Sequence, residues 1–586
     1  MIDHSTSMRT DMCGLLRTED ADREVVLCGW VDRRREHGEH LAFVDLRDRT
    51  GTVQCVVDGA AELRSEYVIR VRGTVRARSA DTVNESIPTG EIEVGDCEVE
   101  ILSRSEPPPF PLEERTDVDE TLRLRHRYVD LRKPRLQRNI RARAEVNRAI
   151  RAAMEEQGFV EVETPMLIAS TPEGARDFVV PSRKEPGRFY ALPQSPQIFK
   201  QLCMVGGVDR YYQIARCLRD EDLRADRQFE FMQLDAEASF VGQDDVFEFI
   251  GHAVLSATEA VTGERPTDIS RITWLDAMER FGSDKPDMRF GMELVELTSV
   301  FADTEARVFQ APCVKGIRLE GGAEALTRSQ IDDLVETCQR WGAKGLAWMR
   351  VIDGDSGPTL DGGVAKFLSS TEAEAVTTSL GASEGDMVFL VADERRVVRH
   401  VLGLLRLELG RPPVNEGGLH YSWVVEFPLF EALGDGGRPI PAHHPFTMPH
   451  PDDLDLLDAE GEDILDVRSQ AYDLVLNGWE LGSGSVRIHD SDVQSRIFGL
   501  LGIEPDEARR RFGFLLDAFR YGAPPHAGFA FGIDRLTALL VQEENIREVI
   551  AFPKTQSGAD PMTNAPTEID ARHLEELGLR VMPRAT

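Results

Sequence analysis

Apolar and polar residues alternate with a period of two through the first hundred positions. In Leu41-Ala42-Phe43-Val44-Asp45-Leu46-Arg47, Ala42, Val44 and Leu46 share one side of a strand, and Phe43, Asp45 and Arg47 share the other. Between Ile69 and Arg78 the same period buries Ile69, Val71 and Val75 and displays Arg70, Arg72, Arg76 and Arg78. About five such strands predict a small barrel whose outer face sets a basic stripe beside Phe43 and an outward Gln54. That surface suits unpaired bases and a phosphate backbone. A solvated strand face with one exposed aromatic explains the module equally well.

After Pro107-Pro108-Pro109-Phe110-Pro111, a stiff linker, the period changes. Val146, Ile150 and Met154 recur at four-residue spacing and predict a helix ending at Gly158, followed by a strand over 159–164 that Pro165 caps. A strand over 211–218 leads into Arg219 and Glu221, and the next carries Phe231, Gln233, Asp235 and Glu237 two apart. The pattern describes a hairpin floor with a cation, acceptors and an amide above it. Asn477-Gly478 is a type I′ turn that pairs Leu476 with Trp479 and Val475 with Glu480, which places Asp473 on the same face as Glu480. Two carboxylates so placed can share Mg²⁺ with substrate phosphates, and Gly482 and Gly484 leave room for a flat ligand. A solvated acidic face is the bland alternative.

Length and charge narrow the class. The chain has 586 residues, 41% of them hydrophobic, enough for several domains, and no apolar run reaches the ~18 residues of a membrane span. The start, Met1-Ile2-Asp3-His4, carries no secretory pattern, and the eight cysteines form no C-x-x-C pair, so a cytoplasmic protein without zinc or membrane is expected. With a net charge of −34, bulk electrostatics repel nucleic acid, and any such partner must meet a local basic surface.

Three ordered segments then converge on one family. Gly158-Phe159-Val160-Glu161-Val162-Glu163-Thr164-Pro165, Cys217-Leu218-Arg219-Asp220-Glu221 and Gly528-Phe529-Ala530-Phe531-Gly532-Ile533-Asp534-Arg535 resemble motifs 1, 2 and 3 of the class II aminoacyl-tRNA synthetases. Thr171-Pro172-Glu173-Gly174-Ala175-Arg176-Asp177, Gln194-Ser195-Pro196-Gln197-Ile198-Phe199-Lys200 and His443-His444-Pro445-Phe446 resemble the bacterial-type aspartyl-tRNA synthetases. Leu218, Phe229 and Ser483 depart from the pattern without removing a charged group.

The resemblance implies an α+β multidomain chain. An OB-fold barrel over 1–106 would read the anticodon, a linker would span 107–127, and a class II antiparallel sheet with flanking helices would span 128–289 and 413–586. An inserted α+β domain would fill 290–412. It implies an ATP-dependent, AMP-forming ligase acting on L-aspartate and tRNA(Asp), with Mg²⁺ accompanying ATP, and a homodimer built through motif 1. By the same carry-over Arg219 holds the α-phosphate and the substrate carboxylate, and Glu221 and Gln228 hold the adenosine. Arg535 meets the γ-phosphate, with Asp220, Gly532, Ile533 and Asp534 also at the ATP site, and Asp473 and Glu480 bind the metal. Arg487 and Lys200 grip the aspartate side chain, Glu173, Ser195, Gln197, Gln233 and Asp235 surround its ammonium end, and His443 and His444 close over it. In the motif 2 loop, Arg224 and Arg227 would meet acceptor-end phosphates.

On the barrel, Arg33, Phe43, Gln54, Arg76 and Glu93 match anticodon positions. Members that also charge tRNA(Asn) carry histidine where strict ones carry leucine, and His37 is that histidine; at a second position Asp81 fits neither group. The pattern leans toward charging both tRNAs. A sister enzyme for asparagine or lysine would not call for Arg487 and Lys200 together, and a non-catalytic relative should have lost Arg219, Arg535 or a metal carboxylate.

Overall fold

The computed structural model describes residues 4–37, 41–113, 116–170, 175–354, 357–459 and 461–582. The chain divides into two compact units: residues 1–141 with 551–555 and 559–566, and the remainder.

In the first unit, β1 (Glu24–His37), β2 (Leu41–Asp48), β3 (Gly51–Asp58), β4 (Val68–Ala77) and β5 (Ile92–Ser103) close into a barrel in the order β1-β2-β3-β5-β4. The alternating residues Ala42, Val44, Leu46, Ile69, Val71 and Val75 fill its interior, as expected. Its outer face differs from the expected basic stripe. Arg70 pairs with Glu100, Arg72 with Glu24 at 3.0 Å, Arg76 with Asp96, and Arg78 with Glu93 at 3.5 Å. An acid-rich chain supplies a carboxylate on or beside the adjoining strands for each arginine, and such pairs neutralise the stripe. Arg47, expected on display, is buried against Glu66 at 2.8 Å and Asp32.

The second unit begins within the helix Pro134–Glu156, whose Val146, Ile150 and Met154 are fully buried, and the chain reverses at Gly158 with a φ of +80°. The strand expected over 159–164 is only β6 (Val160–Glu161), because Pro165 lacks an N–H and β6 lies at a sheet edge. A small pair, β7 (Val179–Pro181) and β8 (Phe189–Ala191), precedes β9 (Arg210–Leu218), β10 (Glu230–Ser239) and β11 (Ser270–Thr273). Next come β12 (Val295–Glu296), β13 (Cys313–Leu319), β14 (Ala347–Gly354), β15 (Gly357–Asp361) and β16 (Met387–Asp393), a separate sheet ordered β12-β13-β16-β14-β15 with its own cores. After it follow β17 (Tyr421–Val425), the pair β18 (Phe430–Leu433) and β19 (Pro439–Pro441), then β20 (Ala471–Leu476), β21 (Trp479–Val486) and β22 (His526–Gly532).

The main sheet runs β11-β17-β20-β21-β22-β10-β9-β6, antiparallel except for the β11/β17 and β6/β9 pairs. One of its faces is sealed by the helices Pro134–Glu156 and Gln243–Thr262, which bury Val246, Ile250 and Val254 against Trp423, Tyr472, Phe529 and Phe531. Each such aliphatic side chain contributes about 1.5–3 kcal/mol on burial. The polar face is left to the site.

Candidate active site

Along β10 the period of two sends Leu234, Ala236 and Ala238 into the apolar core and Gln233, Asp235 and Glu237 to the other face. Across the sheet Glu237 pairs with Gly528 of β22. A Cβ at Gly528 would come within 1.7 Å of the Glu237 carboxylate, so glycine is needed there to seat that side chain. The floor belongs to a cavity of about 1100 Å³. Its wall includes Ser195, Gln197, Arg219, Glu221, Gln228, Gln233, Asp235, His443, His444, Glu480, Gly532 and Arg535. A further chamber of about 130 Å³ shares Gln197, His443, His444 and Ser483 with that wall and adds Lys200, Ser485 and Arg487.

Around the smaller chamber the charges are buried and matched. Arg487 donates through Nε and Nη2 to Glu237 at 3.0 and 3.3 Å and through Nη1 to Ser485 at 2.8 Å. Lys200 lies 3.1 Å from Asp235 and 3.3 Å from Glu237. Burial raises Asp235 to about 6 against the pull of Lys200. Glu237, equally buried, is held below the usual carboxylate range because Arg487 and Lys200 outweigh its desolvation. Burial, aided by Arg487 and Lys200, lowers His444 to about 3, so that imidazole is neutral; burial lowers His443 as well. Polar atoms Gln197 Nε2, Asp235 Oδ1 and His443 Nδ1 are buried without a hydrogen-bond partner.

The other end of the cavity carries the remaining charges. The Arg219 guanidinium lies 5.1 Å from the centre of the Phe231 ring. Glu221 pairs with Arg227 at 3.2 Å, and the buried Gln228 donates to the Arg227 carbonyl at 3.3 Å. Arg535 donates to the Glu480 carbonyl at 2.8 Å and to the Asp226 carboxylate at 3.3 Å.

The hairpin at Asn477-Gly478 pairs Val475 with Glu480 and Leu476 with Trp479, as its turn residues require. Beyond it Leu481 is an extra residue, and the register resumes as Leu474 with Gly482 and Asp473 with Ser483. The shift corrects one expectation. A Cβ on Gly482 would meet the Ala530 carbonyl at 2.1 Å, and one on Gly484 the Gly528 carbonyl at 2.3 Å and the Tyr472 ring. These glycines admit the close approach of β22, and their backbone still borders the cavities, Gly482 the larger and Gly484 the smaller. Asp473 and Glu480 do interact: burial and the Glu480 charge raise Asp473 well above the usual range. Asp284, which sequence reasoning missed, is raised mainly by burial and also by Glu480. Asp473 does not reach the cavity wall, and its Oδ1 is buried without a partner. Among the described residues no group of three His, Cys, Asp or Glu side chains has a metal-holding arrangement.

Other expected residues lie elsewhere. Ile533 points into the hydrophobic core, because it opens the helix Ile533–Leu540 on its apolar side. Asp534 stays at the cavity wall beside Arg535, where it accepts from the Met232 N–H at 2.9 Å and pairs with Arg143 at 2.5 Å. Asp220 contacts Arg176 at 3.8 Å and is not part of the cavity wall. Glu173 lies outside the described residues. On the barrel, Arg33 is exposed, the His37 and Phe43 rings are 5.5 Å apart, and Asp81 is exposed and held low by Ser79. Gln54 is on the outer face but buried, between Arg35 at 3.0 Å and Glu93 at 3.0 Å. Glu237 is the main residue missed; its signal was the alternation that it shares with Gln233 and Asp235.

The profile of the family described as "tRNA synthetases class II (D, K and N)" matches residues 119–556, and that of the "OB-fold nucleic acid binding domain" matches residues 25–102. The chain belongs to the class II tRNA synthetases. This synthetase is 48% identical to a protein of Caldanaerobacter subterraneus subsp. tengcongensis named aspartate–tRNA(Asp/Asn) ligase, over 98% of each chain. A Geobacillus kaustophilus relative, also 48% identical over 98% of this chain and 99% of its own, is named aspartate–tRNA ligase. The synthetase also shares its fold with the crystal structure of asparaginyl-tRNA synthetase from Pyrococcus horikoshii complexed with asparaginyl-adenylate, with a TM-score of 0.56 and 19% identity over 93% of this chain and 98% of that one.

Proposed function

We propose that this synthetase activates L-aspartate with ATP and transfers it to tRNA(Asp) and tRNA(Asn). The observation that carries the amino-acid assignment is the small chamber where Arg487 and Lys200 are buried together. A carboxylate there accepts charge-assisted hydrogen bonds from both cations, whereas a carboxamide would aim one N–H₂ donor at groups that only donate. Glu237 and Asp235 hold the two cations apart and oriented without filling the chamber. Neutral His444 adds no third positive charge.

In the first step the aspartate α-carboxylate attacks the α-phosphorus, the bond to the β-phosphate oxygen breaks, and pyrophosphate leaves with that electron pair. Arg219 neutralises charge on the α-phosphate, Arg535 takes the γ-phosphate in place of Asp226, and Glu221 and Gln228 receive the adenosine. In the second step a hydroxyl of the terminal tRNA ribose attacks the mixed-anhydride carbonyl and AMP departs. Positioning and charge neutralisation account for such chemistry without a protein nucleophile. Mg²⁺ supplies neutralisation of the phosphate oxygens when bound. Glu480, with Asp473 behind it, would hold it; the Asp473 Oδ1, without a hydrogen-bond partner among the described residues, and the Glu480 charge that raises Asp473 fit a divalent cation. Glu480→Gln is therefore expected to raise the Mg²⁺ concentration needed for half-maximal adenylate formation several-fold while tRNA affinity holds; an unchanged Mg²⁺ dependence removes Glu480 from the metal seat.

His37, beside Phe43 on the barrel, supports charging of both tRNAs, since an imidazole donates or accepts toward either base edge. Relatives named for both tRNAs point the same way. Aspartylation rates on tRNA(Asp) and tRNA(Asn) transcripts are expected to lie within about a hundredfold; a preference beyond about a thousandfold, the scale of two or three base contacts, contradicts it.

The synthetase acts as a homodimer in the cytoplasm. Supporting the dimer, β6 is a sheet edge, Val160 on it is exposed, and so are Met166 and Leu167 after it and Val179, Phe189 and Tyr190 on the β7/β8 pair. Sedimentation should give about twice the 65.5 kDa chain mass, and a species of one chain mass at working concentration contradicts this. No helix among the described residues is long and apolar enough to cross a membrane.

A further inference from the structure

The main cavity has a wall that adenylate formation leaves unused. It is built from β19 and from the turn into the helix Pro505–Phe519, and it contributes Arg438, Ile440, Leu501, Ile503, Arg511 and Phe512. Gly502, at a φ of +68°, forms the turn, and a Cβ there would come 2.4 Å from the Arg438 guanidinium. Arg438 therefore lies flat on the turn, and the missing side chain is what lets it rest there. The Arg438 side chain is exposed and pairs with no carboxylate among the described residues; Arg511 lies 5.3 Å from the centre of the Phe512 ring and pairs with the half-exposed Glu507 at 3.1 Å, one helical turn away. Exposed i,i+4 pairs of that kind are weak, so a phosphate displaces Glu507 at little cost. Ile440 is 39% exposed, an apolar surface beside the cations.

We propose that Arg438 and Arg511 bind phosphates of the unpaired 3′ strand of the tRNA, with the exposed Ile440 beside them in contact with its bases. The inference rests on the proposed function, in which the terminal ribose must reach an adenylate seated between Arg219 and Arg487. The strand that delivers this ribose enters the same cavity, and it brings several negative charges into a protein whose net charge is −34. Two cations with loose or no acidic partners, on the wall away from Arg219 and Arg535, match that polyanion.

The test compares wild type with Arg438→Ala/Arg511→Ala in the full chain. Aspartate-dependent exchange of pyrophosphate into ATP, which needs no RNA, should stay within twofold and serves as the control for folding. The affinity for tRNA(Asp) transcript and the kcat/KM for aminoacylation should fall at least tenfold. The slope of log affinity against log salt should become shallower by about 1.4, about 0.7 for each phosphate contact to a single strand. The double substitution to lysine should recover most of the affinity, because lysine also holds phosphate as a point charge. Unchanged tRNA affinity and transfer would overturn the inference, and so would a parallel loss of pyrophosphate exchange, which would place the arginines on the triphosphate. If wild type bound tRNA through these residues but exchanged no pyrophosphate with aspartate, the wall would stand and the amino-acid assignment would fall.

Discussion

Arg487→Leu is expected to reduce aspartate-dependent pyrophosphate exchange by more than a hundredfold. Arg487 is 4% exposed and joined to Glu237 by two hydrogen bonds. Removing one member of a buried pair costs about 3–5 kcal/mol, much of it from the charge left behind. Here the charges left are Glu237 and the side-chain carboxylate of the substrate. Thermal unfolding separates the two contributions: Glu237→Gln/Arg487→Leu should regain stability relative to Arg487→Leu and remain inactive. Wild-type exchange by Arg487→Leu would show that the small chamber does not hold the amino-acid side chain.

Arg219→Ala is expected to slow adenylate formation by about a hundred- to a thousandfold, the effect of removing one preorganised charge-stabilising donor. Arg219 pairs with no carboxylate among the described residues and leans on Phe231, so it meets a phosphate without first breaking an ion pair. The fold should be untouched, because the side chain is only partly buried. Single-turnover adenylate formation reads the loss directly. A rate within threefold of wild type would remove Arg219 from the α-phosphate.

The two arginines show how far the sequence could be read. The period of two in β2, β4 and β10, the four-residue spacing in the helix Pro134–Glu156 and the Asn477-Gly478 turn are local signals, and each is present in the structure. What the local pattern could not carry was pairing between distant segments. Glu237 and Arg487 are 250 positions apart, so the counter-ion of the proposed specificity residue was invisible although its strand was recognised. The barrel stripe failed for the same reason, because its neutralising acids lie on other strands. Leu481 is a subtler case. One extra residue in β21 turned Gly482 and Gly484 toward the core, and no residue type announces a bulge at that position. Ile533, Asp534 and Arg535 are one run in sequence, but a helix begins at Ile533 and sends that side chain into the core, while Asp534 and Arg535 stay at the cavity wall. Only Arg535 of the three donates to the Glu480 carbonyl at the cavity wall.

The central claim is that the chamber around Arg487 and Lys200 selects a side-chain carboxylate. Exchange of pyrophosphate into ATP, measured without tRNA for L-aspartate, L-asparagine and L-lysine at equal concentration, tests it most directly. The account predicts exchange with aspartate and a rate at least a thousandfold lower with asparagine, the scale on which a site built for charge-assisted hydrogen bonds rejects an analogue that leaves its donors unpaired. Comparable exchange with asparagine, or exchange driven by lysine and not by aspartate, would contradict it.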